Sequence, residues 1–269
     1  LTNTPYLSKE LVHWRGNSTQ HPFVPRQDLR QFQRDRLINM VDGRGLASHN
    51  GVPGVHDWVI DCHLPASLYL HALQVRAATL YTKLRASRCD TVTRDTTCAC
   101  GQGQESLQHI LQTCYKGCAA RLERHNHIIK TITDHMGGRD YATVLEPRIP
   151  TTSGLRIPDL LLHNKASTLI IDATVVSDVA DLEREHEAKV EKYNTPEVLD
   201  WTLDRYGHRP TVTAVVLNWR GAISHLSFLA LRNLGFSKRA IQTLSIDILL
   251  QGYRIWARYR CDTTRSPRT

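Results

Sequence analysis

The sequence predicts an α/β protein: a small mixed sheet flanked by helices, preceded by a helical region and a cysteine–histidine loop. Three short apolar runs predict the strands, at residues 158–162, 168–176 and 211–219, each rich in Leu, Ile or Val. Stretches free of Pro and Gly with a 3.6-residue apolar period predict the helices. Between residues 87 and 118 the character changes, and four soft ligands crowd into a short segment.

Taken in order, residues 1–25 are polar, bear prolines and show little periodicity, so they read as surface chain. Residues 26–41 read as a helix with Leu29, Phe32, Leu37 and Met40 apolar, broken by Asp42-Gly43-Arg44-Gly45. A Gly- and His-containing loop runs to Trp58. Pro65 then opens one long helix reaching about Arg85. Its Arg76, Lys83 and Arg85 fit either a nucleic-acid contact or a solvated face.

Cys98, Cys100, His109 and Cys114 form a C-x-C-G-x7-H-x4-C pattern. Thiolates and an imidazole at this spacing suit tetrahedral zinc, and four protein ligands leave no open position, so the metal would be structural. One residue between the first two cysteines is a tight spacing, which leaves Cys89 or Cys118 as substitutes for one ligand. A helix follows over residues 119–136 and stops at Gly137-Gly138. Its His125, His127 and His135 read as surface or packing histidines. The organisation is therefore a helical linker region (1–86), a CCHC zinc knuckle (87–118) and an α/β domain (119–269).

The first two apolar runs flank His163-Asn164-Lys165-Ala166-Ser167 and read as a β-hairpin. A turn symmetric about Lys165 and Ala166 sets Leu162 opposite Leu169, Leu161 opposite Ile170, Leu160 opposite Ile171, and Asp159 opposite Asp172. Opposed residues bring their Cβ atoms to roughly 4.5–5.5 Å, where like charges destabilise. Two opposed carboxylates call for a cation, and a divalent metal with oxygen ligands is the obvious one. The helix predicted at 178–193 puts Val179, Leu182, His186, Lys189, Val190 and Tyr193 on one stripe. Lysine on such a stripe needs a reason, whereas Lys192 lies about 60° further toward solvent. Two carboxylates and a lysine make a phosphodiesterase constellation: Asp159 and Asp172 for a divalent metal that activates water and neutralises charge on the phosphate, and Lys189 to steady the attacking hydroxide or the transition state. Helices at 195–206 and 224–234, a last helix from Ser237 to about Tyr259, and a basic tail complete the chain.

With 41% hydrophobic residues the chain can bury a core. Seven scattered cysteines argue against a disulfide scaffold and for a reducing compartment, cytosol or nucleus. No run is long enough to span a membrane, and no signal peptide is present. A start at Leu1 suggests a piece of a longer polypeptide. The net charge of +8 favours phosphate backbones.

The order of these boxes resembles a known family. DGRGL at residues 42–46 with Trp58, the helix ending near Arg85, the cysteine–histidine knuckle, EPRIPTTSGLRIPDLLL, Asp172 in IIDATVV and KVEKY at residues 189–193 follow one another in this chain. Together they are similar to the C-terminal region of non-LTR retrotransposon proteins with a restriction-enzyme-like endonuclease, such as those inserting into ribosomal RNA genes. The resemblance covers residues 26 to 220. It implies a PD-(D/E)xK restriction-endonuclease-like core, magnesium dependence, and nicking of double-stranded target DNA to give a 3′-OH primer for reverse transcription. It also implies a nuclear location, element RNA as a partner, and an upstream reverse transcriptase domain; no Tyr-x-Asp-Asp occurs here. Ordinary restriction enzymes carry lysine two residues after the second aspartate, where this chain has Thr174. The resemblance displaces that lysine to the following helix, in agreement with Lys189, and with it Asp159 and Asp172 are expected to hold Mg2+ while Lys192 and Tyr193 assist. The competing readings are a nucleic-acid-binding knuckle module on an inactive nuclease fold, and a junction-resolving nuclease.

Overall fold

The structure, a computed structural model, describes residues 12–16, 19–23, 26–60, 63–88 and 95–264. The chain divides into two compact units, Leu1–Ala47 and Ser48–Thr269. The boundaries expected at residues 86 and 118 thus fall inside the second unit.

The first unit holds an antiparallel hairpin of β1 (Val12–Gly16) and β2 (Thr19–Phe23), with Trp14 paired to His21, and helix α1 (Arg26–Asn39). The hairpin replaces the irregular surface chain expected there. The DGRG break has a steric cause: a Cβ on Gly43 would lie 1.7 Å from the Leu37 carbonyl oxygen. Only glycine lets the chain turn back that closely on the end of α1.

In the second unit, α2 (Ala66–Arg76) ends well before the expected limit near Arg85, and a separate short α3 (Lys83–Ala86) follows. Tertiary packing overrides the helical period. Ala78 takes a left-handed φ of 53° and Leu80 turns inward at 3% exposure. Thr82 then caps α3 by accepting from Arg85 N–H. The three basic residues serve the fold. The Arg76 guanidinium lies 5.7 Å from the Trp58 ring centroid, and burial lowers its pKa to about 10. Lys83 donates to Asp95 and to the Thr97 carbonyl, and Arg85 donates to the Ala78 carbonyl.

The knuckle helix α4 (Leu107–Gln112) leads into α5 (Cys118–Gly137) and then into the sheet strands. β3 (Ala142–Leu145) is followed by a small side hairpin of β4 (Ile149–Thr151) and β5 (Gly154–Arg156). β6 (Leu160–His163) and β7 (Thr168–Val176) come next, then α6 (Leu182–Tyr193), α7 (Pro196–Tyr206), β8 (Pro210–Asn218), α8 (His225–Asn233) and α9 (Lys238–Thr264). The four-stranded sheet has the order β3-β6-β7-β8, with β8 parallel to β7 and the other pairs antiparallel. It is a small mixed sheet flanked by helices. The hairpin register is the expected one: Leu160 opposes Ile171, Leu161 opposes Ile170 and Leu162 opposes Leu169. Asn164 sets the turn by accepting the Ala166 and Ser167 N–H groups.

Both sheet faces are covered, which is why β7 and β8 read as nearly continuous apolar runs. On one face Leu160, Leu162, Ile171 and Val215 pack with Ile128 and Ile132 of α5, Leu231 of α8 and Ile248 of α9. On the other, Leu161 and Ile170 meet Tyr193 and Val198, while Ala214 and Val216 meet Leu182. A further core joins Trp58, Val75, Leu107, Leu111, Trp219, Leu249 and Tyr259, so the knuckle is packed into the body of the unit. Asp181 caps α6, accepting from Glu183 and Arg184 N–H, which leaves Val179 ahead of the helix and 68% exposed instead of on the buried stripe. None of the helices among the described residues is long and apolar enough to cross a membrane.

Beyond β7, Asp178 and Arg220 form a buried ion pair at 2.6 Å, with side chains 5% and 4% exposed. Arg220 also donates to the Arg76 carbonyl, tying α2 to the sheet end. Asp178→Ala should destabilise the protein by about 3–5 kcal/mol in chemical denaturation, because it strands a buried guanidinium. A loss of under about 1 kcal/mol would contradict that account.

Candidate functional site

Two clusters of chemistry-bearing side chains lie in the second unit. In the first, Cys98, Cys100, His109 and Cys114 place one ligand atom each within 4.8 Å of all the others. The loop that achieves this turns at Gly101, with φ 74°, where Gly101 N–H donates to the Cys98 carbonyl. Cys98 N–H donates in turn to the Gly103 carbonyl, so one intervening residue suffices to bring both sulfurs inward. Ser106 caps α4 and thereby aims His109 at the cysteines.

The Cys98 and Cys114 sulfurs are 3.8 Å apart. That matches the edge of about 3.8 Å expected for a tetrahedron with Zn–S bonds of about 2.3 Å. His109 Nε2 lies 3.2 Å from Cys100 Sγ, while its Nδ1 lies 3.0 Å from Thr113 Oγ1. A proton on Nδ1 donated to Thr113 frees Nε2 for a metal. Burial and the Arg121 charge lower the His109 pKa, which favours the neutral, ligating imidazole. Burial pushes the Cys114 thiol up to about 12, so its thiolate needs a cation beside it. This Cys3His cluster could hold a metal such as zinc. Cys118 is exposed at the start of α5 and outside the cluster, and Cys89 lies outside the described residues.

The second cluster sits where β6 ends and β7 continues. Asp159 immediately precedes β6, and its Oδ2 accepts the Ala173 N–H at 2.6 Å. Asp172, one residue past the last β6–β7 pair, is 4% exposed. Lys189 Nζ from α6 lies 2.6 Å from Asp172 Oδ2, an ion pair. Tyr193, one turn further along α6, is 1% exposed; it donates to the Ile157 carbonyl and accepts from Lys192 Nζ at 2.8 Å. Its phenol is held well above its usual pKa by burial and then by the Asp172 and Asp159 charges. All five residues singled out from the sequence therefore gather around the mouth of one hairpin.

The sequence reading missed His125. Its Nε2 lies 3.2 Å from Asp159 Oδ1, which corrects its reading as a surface or packing histidine. The physical reason is that α5 crosses the sheet face at the mouth of β6, a packing relation that helical periodicity does not encode. The Asp159 contact raises the His125 pKa, with burial and Lys189 opposing and Asp172 assisting. A raised histidine stabilises the fold fully below its unfolded value of about 6.5 and loses that contribution as pH rises through the folded value. In metal-free protein, Asp159→Asn should shift the His125 titration, followed by NMR, to lower pH. An unchanged titration would contradict the contact. Tyr259 of α9 was also missed: its hydroxyl is 3.1 Å from Cys98 Sγ and donates to Glu105.

No family model matches the chain. Against known proteins, it is 28% identical over 243 residues to a Pol polyprotein from the type-1 retrotransposable element R2 of Nasonia vitripennis, covering 87% of this chain and 23% of that protein. The corresponding polyprotein of Bradysia coprophila is 27% identical over 257 residues, 93% of this chain and 28% of its own length. The polyprotein from the type-2 element R2DM of Drosophila melanogaster is 26% identical over 247 residues, 90% and 23% respectively. This chain is a homologue of R2 retrotransposon Pol polyproteins. The matched R2 stretches run across both clusters, since they take in about nine-tenths of the chain. The chain spans about a quarter of the length of these R2 relatives.

Proposed function

We propose that this chain is the magnesium-dependent DNA endonuclease region of an R2-type non-LTR retrotransposon protein, built on a PD-(D/E)xK core. The observation that carries the reading is the meeting of Asp159, Asp172 and Lys189 from three different elements, with Lys189 2.6 Å from Asp172. The residues fit a hard divalent cation: the hairpin brings one carboxylate from each side to its mouth, and Asp172 is buried there. Asp159 and Asp172 would hold Mg2+, which when bound supplies charge neutralisation at the phosphate and lowers the pKa of water.

The remaining work falls to the chain itself. The Ala173 N–H fixes one oxygen of Asp159, and His125 fixes the other. Lys189 carries a positive charge, 28% exposed, to the place where negative charge grows on the phosphate. Tyr193 stays a neutral phenol and, through the Ile157 carbonyl and Lys192, holds the end of α6 against the hairpin. The knuckle would carry structural Zn2+. In the full element this activity would nick double-stranded target DNA in the nucleus and give a 3′-OH for reverse transcription of element RNA by an upstream domain. The names of the relatives as retrotransposon Pol polyproteins support that setting.

The test is supercoiled plasmid incubated with the chain in Mg2+, with EDTA as control. Nicked circles that appear with Mg2+ alone are expected. An unchanged plasmid across a range of target sequences, with DNA still bound, would favour the inactive binding module instead.

A further inference from the structure

Beside the carboxylates, on the side of α5 facing the knuckle, lies a cavity of about 230 Å3 lined by Gln112, Arg121, Arg124, His125, Thr174 and Val175. Among the described residues, no carboxylate lines it. Arg124 is 3% exposed, yet only its Nη2 has partners, the Leu111 carbonyl at 3.2 Å and Gln112 Oε1 at 3.5 Å. Its Nε and Nη1 are buried with no partner. Such donors cost free energy unless an acceptor answers them, and a buried guanidinium without a counter-charge costs more. Arg121 supplies no relief: it is a second cation, donating to the Cys114 carbonyl. Burial, followed by the Arg121 charge, lowers the Arg124 pKa to about 10.

We propose that this cavity binds an oxyanion, and that the oxyanion is a backbone phosphate of the DNA strand next to the one cleaved. The second clause rests on the nuclease reading above. A phosphate oxygen can answer one of these free donors, and Arg121 and His125 line the same cavity, so the site offers a fixed guanidinium in a basic surround. Position selects the substrate strand. His125 lines the cavity and also touches Asp159, and Thr174 lines it two residues after Asp172. A phosphate held there has its neighbour at the carboxylates. The same phosphate would bridge the knuckle to the hairpin, because Gln112 donates to the Val176 carbonyl and Arg121 to the Cys114 carbonyl. Zinc binding and DNA cleavage would then be joined through one anion.

The test follows the Arg124 Nε–H resonance in the arginine-15N-labelled chain, without divalent metal, against inorganic phosphate and against a short DNA duplex. The assignment comes from Arg124→Lys. Both ligands should perturb it, the duplex at lower concentration. As a second variant, Thr174→Glu puts a carboxylate into the cavity. It should raise the unfolding temperature, weaken duplex binding about tenfold, and reduce the salt dependence of binding by about one phosphate contact. A resonance indifferent to both ligands, or a Thr174→Glu variant with wild-type affinity and salt slope, would overturn the proposal. Perturbation by inorganic phosphate but not by the duplex would overturn its assignment to DNA. Because nothing here reads cleavage, a chain that never nicks plasmid but passes these tests keeps the anion site and loses the nuclease reading.

Discussion

Asp172→Ala is expected to abolish magnesium-dependent nicking while leaving DNA affinity within a few-fold of wild type. The expected loss is about 10³-fold or more, since a metal-holding carboxylate supports several kcal/mol of transition-state stabilisation and each 1.36 kcal/mol is tenfold. The fold should survive. Asp172 is packed at 4% exposure but gives up one ion pair to Lys189, which is 28% exposed and free to turn to water. Asp159→Ala should be equally inactive and less stable, because it also strands the Ala173 N–H and removes the His125 partner. Plasmid nicking timed beside anisotropy measurements of DNA binding reads both quantities. Wild-type cleavage by Asp172→Ala would remove that residue from the site.

The second large effect concerns the knuckle. Cys114→Ser should lose the bound zinc and unfold at markedly lower temperature, whereas Cys118→Ser should keep both at wild-type values. Cys114 is completely buried in the core that joins Trp58, Leu111, Trp219 and Tyr259, so losing its metal leaves a polar hydroxyl among apolar groups. Structural zinc in small fingers contributes about 10–16 kcal/mol of apparent binding. Here the surrounding core remains, so the expected cost is smaller, several kcal/mol. Metal content by atomic absorption and the melting temperature decide it. A Cys114→Ser chain with one zinc and unchanged melting would move the ligand set elsewhere.

Which parts of this arrangement were legible in the sequence follows from the range of the interactions. The hairpin register was readable because a short symmetric turn and a period of two leave few alternatives, and Asn164 closes that turn by purely local bonds. Lys189 was readable because helical period sets which side chains share a face with Tyr193. The cysteine spacing was readable because Gly101 supplies the sharp turn within the segment itself. What escaped depends on packing between distant segments. The break after Arg76 comes from Leu80 turning into a core shared with α9, and propensity alone continues the helix. β4 and β5 are three residues each and contain Pro150 and Gly154, which mute any strand signal. His125 and Arg124 gain their meaning only where α5 crosses the end of β6. Their helix announced itself, but its neighbours did not.

The central claim is that Asp159 and Asp172 share a divalent cation in reach of Lys189. Mn2+ placed by anomalous scattering in crystals of the chain, compared with Asp172→Ala, measures this most directly. The account predicts a manganese site ligated by both carboxylates, lost in the variant, with the Cys98, Cys100, His109 and Cys114 cluster holding zinc in both. Manganese absent from the two aspartates of the wild-type chain, at concentrations that support nicking, would contradict it.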